Sequence, residues 1–190
     1  PEEAEPSPPT FTLNGSYYVF PALDELAVLT LAKEMAELQK GGETLIEKGR
    51  FGATELSPDW VTVGPMGYGL PDNHLPAEFG YNAIRIPLHI AWQNPSSPLL
   101  EPFVRFWKTF AEPSEIPAVV LLPSGENGPH PALPGMQAVA AFTISCLEGS
   151  PLKPRQLPGP VVDEAYYSAS LKMLTKLAAR ESARKGPLLH

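Results

Sequence analysis

Three short clusters carry the residue types from which a binding or reactive site could be built. The first is Asn14-Gly15-Ser16-Tyr17-Tyr18-Val19-Phe20-Pro21, an aromatic entry to a helix. Taken plainly, it is a capped helix start with a hydrophobic staple. The second is Ser57-Pro58-Asp59-Trp60-Val61, a turn that could simply bury an indole. The third is Gly80-Tyr81-Asn82-Ala83-Ile84-Arg85-Ile86-Pro87-Leu88. Asn82 there could serve only as an N-cap. However, Asn82 and Arg85 are one turn apart on one face of a helix apolar enough to be buried. A buried guanidinium needs partners, so this spacing predicts a polar pocket.

The elements that must hold these clusters are helical. In LDELAVLTLAKEMAELQ the apolar positions Leu23, Leu26, Ala27, Leu31, Met35 and Leu38 recur at spacings of three and four. This predicts one helix with Pro21 in its first turn and Gly41-Gly42 at its end. A shorter helix is expected over 43–50. Further helices are expected over 82–93, where Pro87 kinks the helix or marks its first turn, and over 98–110, 133–148 and 163–183. Residues 54–80 read as a long Pro/Gly loop, with Gly64-Pro65-Met66-Gly67-Tyr68-Gly69 as a turn within it. VVLLPSG at 119–125 reads as a short strand or an extended turn. No alternating run is long enough to build a sheet. About six helices on long loops suggest a toroid or solenoid of hairpins.

Composition narrows the function classes. The chain has 190 residues and 24 prolines, too many for sustained heptads, which excludes a coiled coil. Net charge is −7 and the 14 Lys and Arg residues form no basic run, which argues against nucleic acid as a partner. A single cysteine, Cys146, excludes an intrachain disulfide and a multi-cysteine zinc site. His74, His89 and His130 lack metal-ligand spacing, and no apolar run reaches the ~20 residues of a membrane span. Residues 1–12, PEEAEPSPPTFT, read as a flexible acidic, proline-rich loop. With no initiator Met, Pro1 reads as a cut site, leaving 13–190 as one portion of a domain.

In this order, NGSYYVFPAL, LSPDWV and GYNAIRIPL resemble the glycoside hydrolases of family 8, and within them the endoglucanases that accompany bacterial cellulose synthase. YYSASLKMLTKLA is similar to the last helix of that family. The resemblance implies an all-α fold, the C-terminal part of an (α/α)6 barrel built as a six-hairpin toroid. It implies part of an inverting endo-β-1,4-glucanase acting on cellulose or a β-1,4-glucan oligosaccharide, with no metal and no cofactor. It also implies a periplasmic or secreted bacterial protein working beside a cellulose synthase complex. Inversion needs one carboxylic acid to protonate the leaving oxygen and one carboxylate to activate water.

The family's acid Glu belongs to an N-terminal segment absent from these residues, so the N-terminal half is expected as a second chain and this chain alone is expected to be inactive. Asn82 occupies the position of the general base, with Tyr81 and Arg85 beside it, and an amide cannot take a proton from water. Three readings stand open: an Asp→Asn substitution that traps substrate, natural inactivity, or a base supplied by a loop carboxylate such as Glu78 or Glu126. If Asn82 replaces the base, Asn82→Asp should restore activity. Tyr17, Trp60 and Tyr167, with Trp92, are candidates for stacking on glucose rings, and Asp59 is a further substrate-binding candidate. The competing function is a non-catalytic glucan-binding or scaffold subunit of a cellulose export system.

Overall fold

In the computed structural model, the structure describes residues 8–72 and 74–185. The chain begins with β1 (Phe11–Leu13) and two helices, α1 (Phe20–Thr30) and α2 (Lys33–Lys48). β2 (Val61–Gly64), β3 (Gly67–Gly69) and β4 (Glu78–Phe79) lead to α3 (Arg85–Gln93) and α4 (Glu101–Trp107). After β5 (Val120–Leu121) come α5 (Pro134–Leu147) and α6 (Tyr166–Lys185). Six α-helices are therefore present among the described residues, as the periodicity suggests.

Their boundaries differ most from the expectation in the first two, where the helix expected over 43–50 is the end of α2. The first predicted helix is broken at Leu31, which adopts a left-handed φ of 55°, and the second helix runs straight through Gly41-Gly42. Gly42 is there for packing: a Cβ would stand 2.4 Å from Cδ1 of Tyr18. The glycine pair is thus a close-approach site and does not end the helix. Pro21 and Pro87 both sit in first turns, where no helical amide is lost.

Two small sheets correct the expectation of none. β1, β2 and β3 form an antiparallel sheet in which Phe11 pairs with Val63 and Thr62 with Gly69. The predicted turn at 64–69 closes its β2–β3 hairpin. Of the expected flexible segment 1–12, residues 1–7 lie outside the described residues, while Phe11 and Thr12 belong to β1. β4 pairs antiparallel with β5, Glu78 opposite Leu121 and Phe79 opposite Val120. These strands are too short for an alternating pattern to reveal.

α3 is the axis of the core. Residues 86–92 are all buried, flanked by Phe103, Trp107, Met136, Phe142 and Leu171. α3 and α6 run parallel. At one end the Tyr167 hydroxyl donates to the Tyr81 carbonyl (2.6 Å), and at the other Trp92 Nε1 donates to Glu181 (2.8 Å). α5 begins at the same end as α6, where Gly135 N donates to Ser168 Oγ (2.8 Å). Three helix N-termini therefore gather at one end, together with the turns that precede them.

Candidate functional site

At that end, Asp59 organises the turn before α3. Its Oδ1 accepts from the backbone N–H groups of Gly80 (3.0 Å), Asn82 (3.2 Å) and Ala83 (2.7 Å). Its Oδ2 accepts from the Asn82 side-chain amide at 3.1 Å. Asp59 N in turn donates to the Glu78 carbonyl at 2.7 Å. Pro58 and the buried Ser57, whose hydroxyl donates to the Ile46 carbonyl, fix the approach. Only 3% of Asp59 is exposed. Its acceptor sites serve the turn, and it positions the residues that follow.

Asn82 is held from both sides. While its Nδ2 donates to Asp59, its Oδ1 accepts from Arg85 Nη2 at 2.8 Å. Arg85 Nη2 also donates to Ser16 Oγ (3.0 Å), and Ser16 donates onward to Asn14 Oδ1 (2.7 Å). The polar partners that the Asn82–Arg85 spacing calls for are present, as a hydrogen-bonded cluster with a carboxylate at one end and a guanidinium within it. Asn14 and Ser16, not singled out individually in the sequence, supply the far side. The signal was the Asn-x-Ser turn, in which Asn14 Oδ1 caps Ser16 N at 2.9 Å.

Aromatic side chains surround this cluster. Tyr17 is 66% exposed, and its ring lies 5.9 Å from the Arg85 guanidinium carbon. Tyr17 and Trp60 both line an open, largely apolar cleft of about 350 Å3 together with Leu13, Tyr18, Leu23 and Leu38. On the other side Tyr81 and Tyr167 meet edge to face, ring centres 5.6 Å apart. Burial raises the Tyr167 phenol above its ordinary range, so it stays protonated and donates to Tyr81. Trp92 does not belong here. It is 8% exposed and bonded to Glu181 at the opposite end of α3, so the stacking expectation is corrected to core packing.

Two further titratable groups lie close by. Glu78 is half-buried, and burial together with the neighbouring Asp59 charge raises its carboxyl above the usual range. His89, one turn beyond Arg85, is lowered to about 4 by burial and by the Arg85 charge. Glu126 is exposed in the turn after β5, its amide held by Ser124 Oγ at 3.3 Å. Among the described residues no three His, Cys, Asp or Glu side chains cluster so as to hold a metal, and no helix is long and apolar enough to cross a membrane.

Residues 7–181 match the profile of "Glycosyl hydrolases family 8". A probable endoglucanase of Novacetimonas hansenii is 36% identical over 177 residues, 91% of this chain and 49% of that protein. The solved endo-beta-1,4-glucanase CMCax of Acetobacter xylinum superposes with a TM-score of 0.77 at 35% identity, covering 91% of this chain and 53% of the other. Endoglucanase Cel10 of Klebsiella pneumoniae gives 0.81 at 30% identity, covering 91% and 53%. The chain spans about half the length of the relatives it matches. Its six helices are part of an (α/α)6 barrel. Fold, ordered motifs and relatives agree, and the chain belongs to family 8 of the glycosyl hydrolases.

Proposed function

We propose that this chain is the C-terminal half of an inverting endo-β-1,4-glucanase domain acting on cellulose-type glucan. The observation that carries the reading is the joined site. A rigid Asp59–Asn82–Arg85 cluster stands at the N-terminal end of α3, with Tyr17 and Trp60 on one flank and Tyr81 and Tyr167 on the other. Exposed aromatic faces suit the C–H faces of glucose rings, and a fixed polar floor suits the reacting bond. Tyr81, Asn82 and Arg85 are assigned to the reacting end, and Tyr17, Trp60 and Tyr167 to sugar contacts. Asp59 acts through the turn it holds.

The remaining half of the domain, as a second chain or as a preceding segment, supplies the general acid in this reading. It also covers the apolar strip Leu26, Val28, Leu29 and Leu31 on α1 and the break that follows it, which is 44–87% exposed. A periplasmic or secreted setting beside a cellulose synthase completes the proposal, and it rests on the resemblance of the three sequence motifs alone. The test joins the chain to its missing half and follows hydrolysis of carboxymethylcellulose and cellohexaose, reading product anomers by NMR. First-formed α-anomers are expected. Hydrolysis with β-anomers would overturn inversion, and no hydrolysis would overturn the glucanase reading.

The amide at position 82 favours one second reading, a glucan-binding or scaffold subunit. Binding of cellohexaose to the joined domain, without turnover, would decide for it.

A further inference from the structure

We propose that the small sheet beside the cleft is a second glucan-binding surface, on which a β-1,4-glucan chain stacks across the strands on Phe11 and Tyr68. The identity of the sugar rests on the glucanase reading; the surface itself is read from the sheet. Its register decides which side chains share a face. Phe11 pairs with Val63, and Val63 pairs with Tyr68. Paired residues in neighbouring strands point to the same side, so these three form one row across the sheet. The glycines give the same assignment from behind. A Cβ on Gly64 would stand 2.7 Å from Thr10 Oγ1, and one on Gly69 2.8 Å from Thr62 Oγ1. Threonines and glycines therefore pack together on the back, and the two rings are left on the front. Phe11 is 59% exposed and Tyr68 37%, with Val63 half-buried between them.

The spacing of the row selects a ligand. Residues two strands apart in a sheet are separated by about 10 Å, which is about the distance over which a β-1,4-glucan repeats. Every second ring of such a chain presents the same C–H face, and the negative face of an aromatic ring attracts those weakly positive C–H groups. Charge points the same way. Residues 8–23 and 60–71, which include all three strands, contain no charged side chain, although the chain has 14 basic and 21 acidic residues. Edge strands commonly carry charge, yet both edges here, β1 and β3, have none. An uncharged polyol can lie on this face without stripping water from an ion.

The row also continues the cleft. Leu13 of β1 and Trp60, the residue before β2, line that cleft together with Tyr17. Leu13 lies on the same face as Phe11, two residues and about 7 Å along the strand. A glucan that outruns the cleft at its Leu13 wall meets the row next.

The test uses the chain joined to its missing half and measures adsorption to regenerated amorphous cellulose in the cold, with Tm as the check on folding. Phe11→Leu and Tyr68→Leu keep apolar bulk on the strands and remove the planar ring. Each should weaken adsorption about tenfold at an unchanged Tm. Phe11→Trp and Tyr68→Trp should adsorb at least as well as the parent, and a soluble β-1,3-glucan, whose repeat differs, should not compete. Where a leucine variant lowers Tm, the tryptophan variants decide: undiminished adsorption supports the platform, and lost adsorption overturns it. Leucine variants that adsorb like the parent would overturn the proposal alone, as would competition by the β-1,3-glucan, while hydrolysis of cellohexaose still supports the glucanase reading. A lowered Tm with unchanged adsorption would mean that the missing half covers the sheet, which also overturns it. A parent that neither adsorbs nor hydrolyses would overturn both readings.

Discussion

Asp59 shows how one buried side chain can fix the turn that carries a candidate site. Its carboxylate gathers the amides of Gly80, Asn82 and Ala83 into one turn. Asp59→Asn replaces one oxygen by an N–H donor facing other donors. Hydrogen bonds to a charged group contribute about 1.5–3 kcal/mol, so a loss of roughly that size is expected in urea unfolding of the joined domain, with activity lost too. Wild-type stability in Asp59→Asn would refute this role. His89 gives a second expectation. An unfolded histidine titrates near 6.5, whereas buried His89 titrates at about 4. Its folded pKa is the lower one, so its neutral form favours folding above pH 6.5. As pH falls from 6.5 to 4 the unfolded chain takes up the proton first and stability is lost, by an upper limit of about 3 kcal/mol. His89→Gln should flatten the dependence of Tm on pH in that window. The Asn82–Arg85 pair was legible in the sequence because one helical turn separates them. The role of Asp59 in holding that turn was not legible, since its partners lie more than twenty residues away.

Glycines at the level of elements carry information that sequence spacing does not distinguish. Gly41 and Gly42 are adjacent in α2, yet a Cβ meets nothing within 4 Å at Gly41 and the Tyr18 ring at 2.4 Å at Gly42. Gly41→Ala should therefore raise stability by about 0.5–1 kcal/mol through lost chain entropy and better helix propensity. Gly42→Ala should lower it by about 1–3 kcal/mol through overpacking. At Gly135 a Cβ would meet the Ser168 carbonyl oxygen at 2.3 Å, and backbone yields less readily than a ring. Gly135→Ala should be the most harmful of the three and should force α5 and α6 apart. Thermal melts of the three variants check the order, and a stabilised Gly42→Ala would break it. The helices themselves were legible from their 3.6-residue periodicity. What periodicity missed has local causes: the break at Leu31 lies inside an apolar stripe with no glycine or proline, and two- to four-residue strands are too short to show a pattern.

For the whole molecule, the decisive feature is the side of α1 and α2 that nothing among the described residues covers. Leu29 is 77% exposed, Val28 72% and Leu31 87%, in a row along one helix and its break. Apolar side chains at that exposure weaken nothing in the isolated chain when made polar, because they are already in water. If the other half of the domain lies over them, the same changes remove buried contacts worth about 1.5–3 kcal/mol each. One pair of substitutions should therefore have opposite effects in two contexts. In the 190-residue chain alone, Val28→Lys and Leu29→Lys should reduce self-association, read by light scattering, and leave Tm nearly unchanged. In the joined domain the same two changes should lower Tm, and in the two-chain form they should weaken association of the halves. Equal, small effects in every context would show that this strip faces solvent in the complete protein. In that case the surface that receives the other half must be sought elsewhere, with exposed Phe11 and Met66 of the small sheet the next to test.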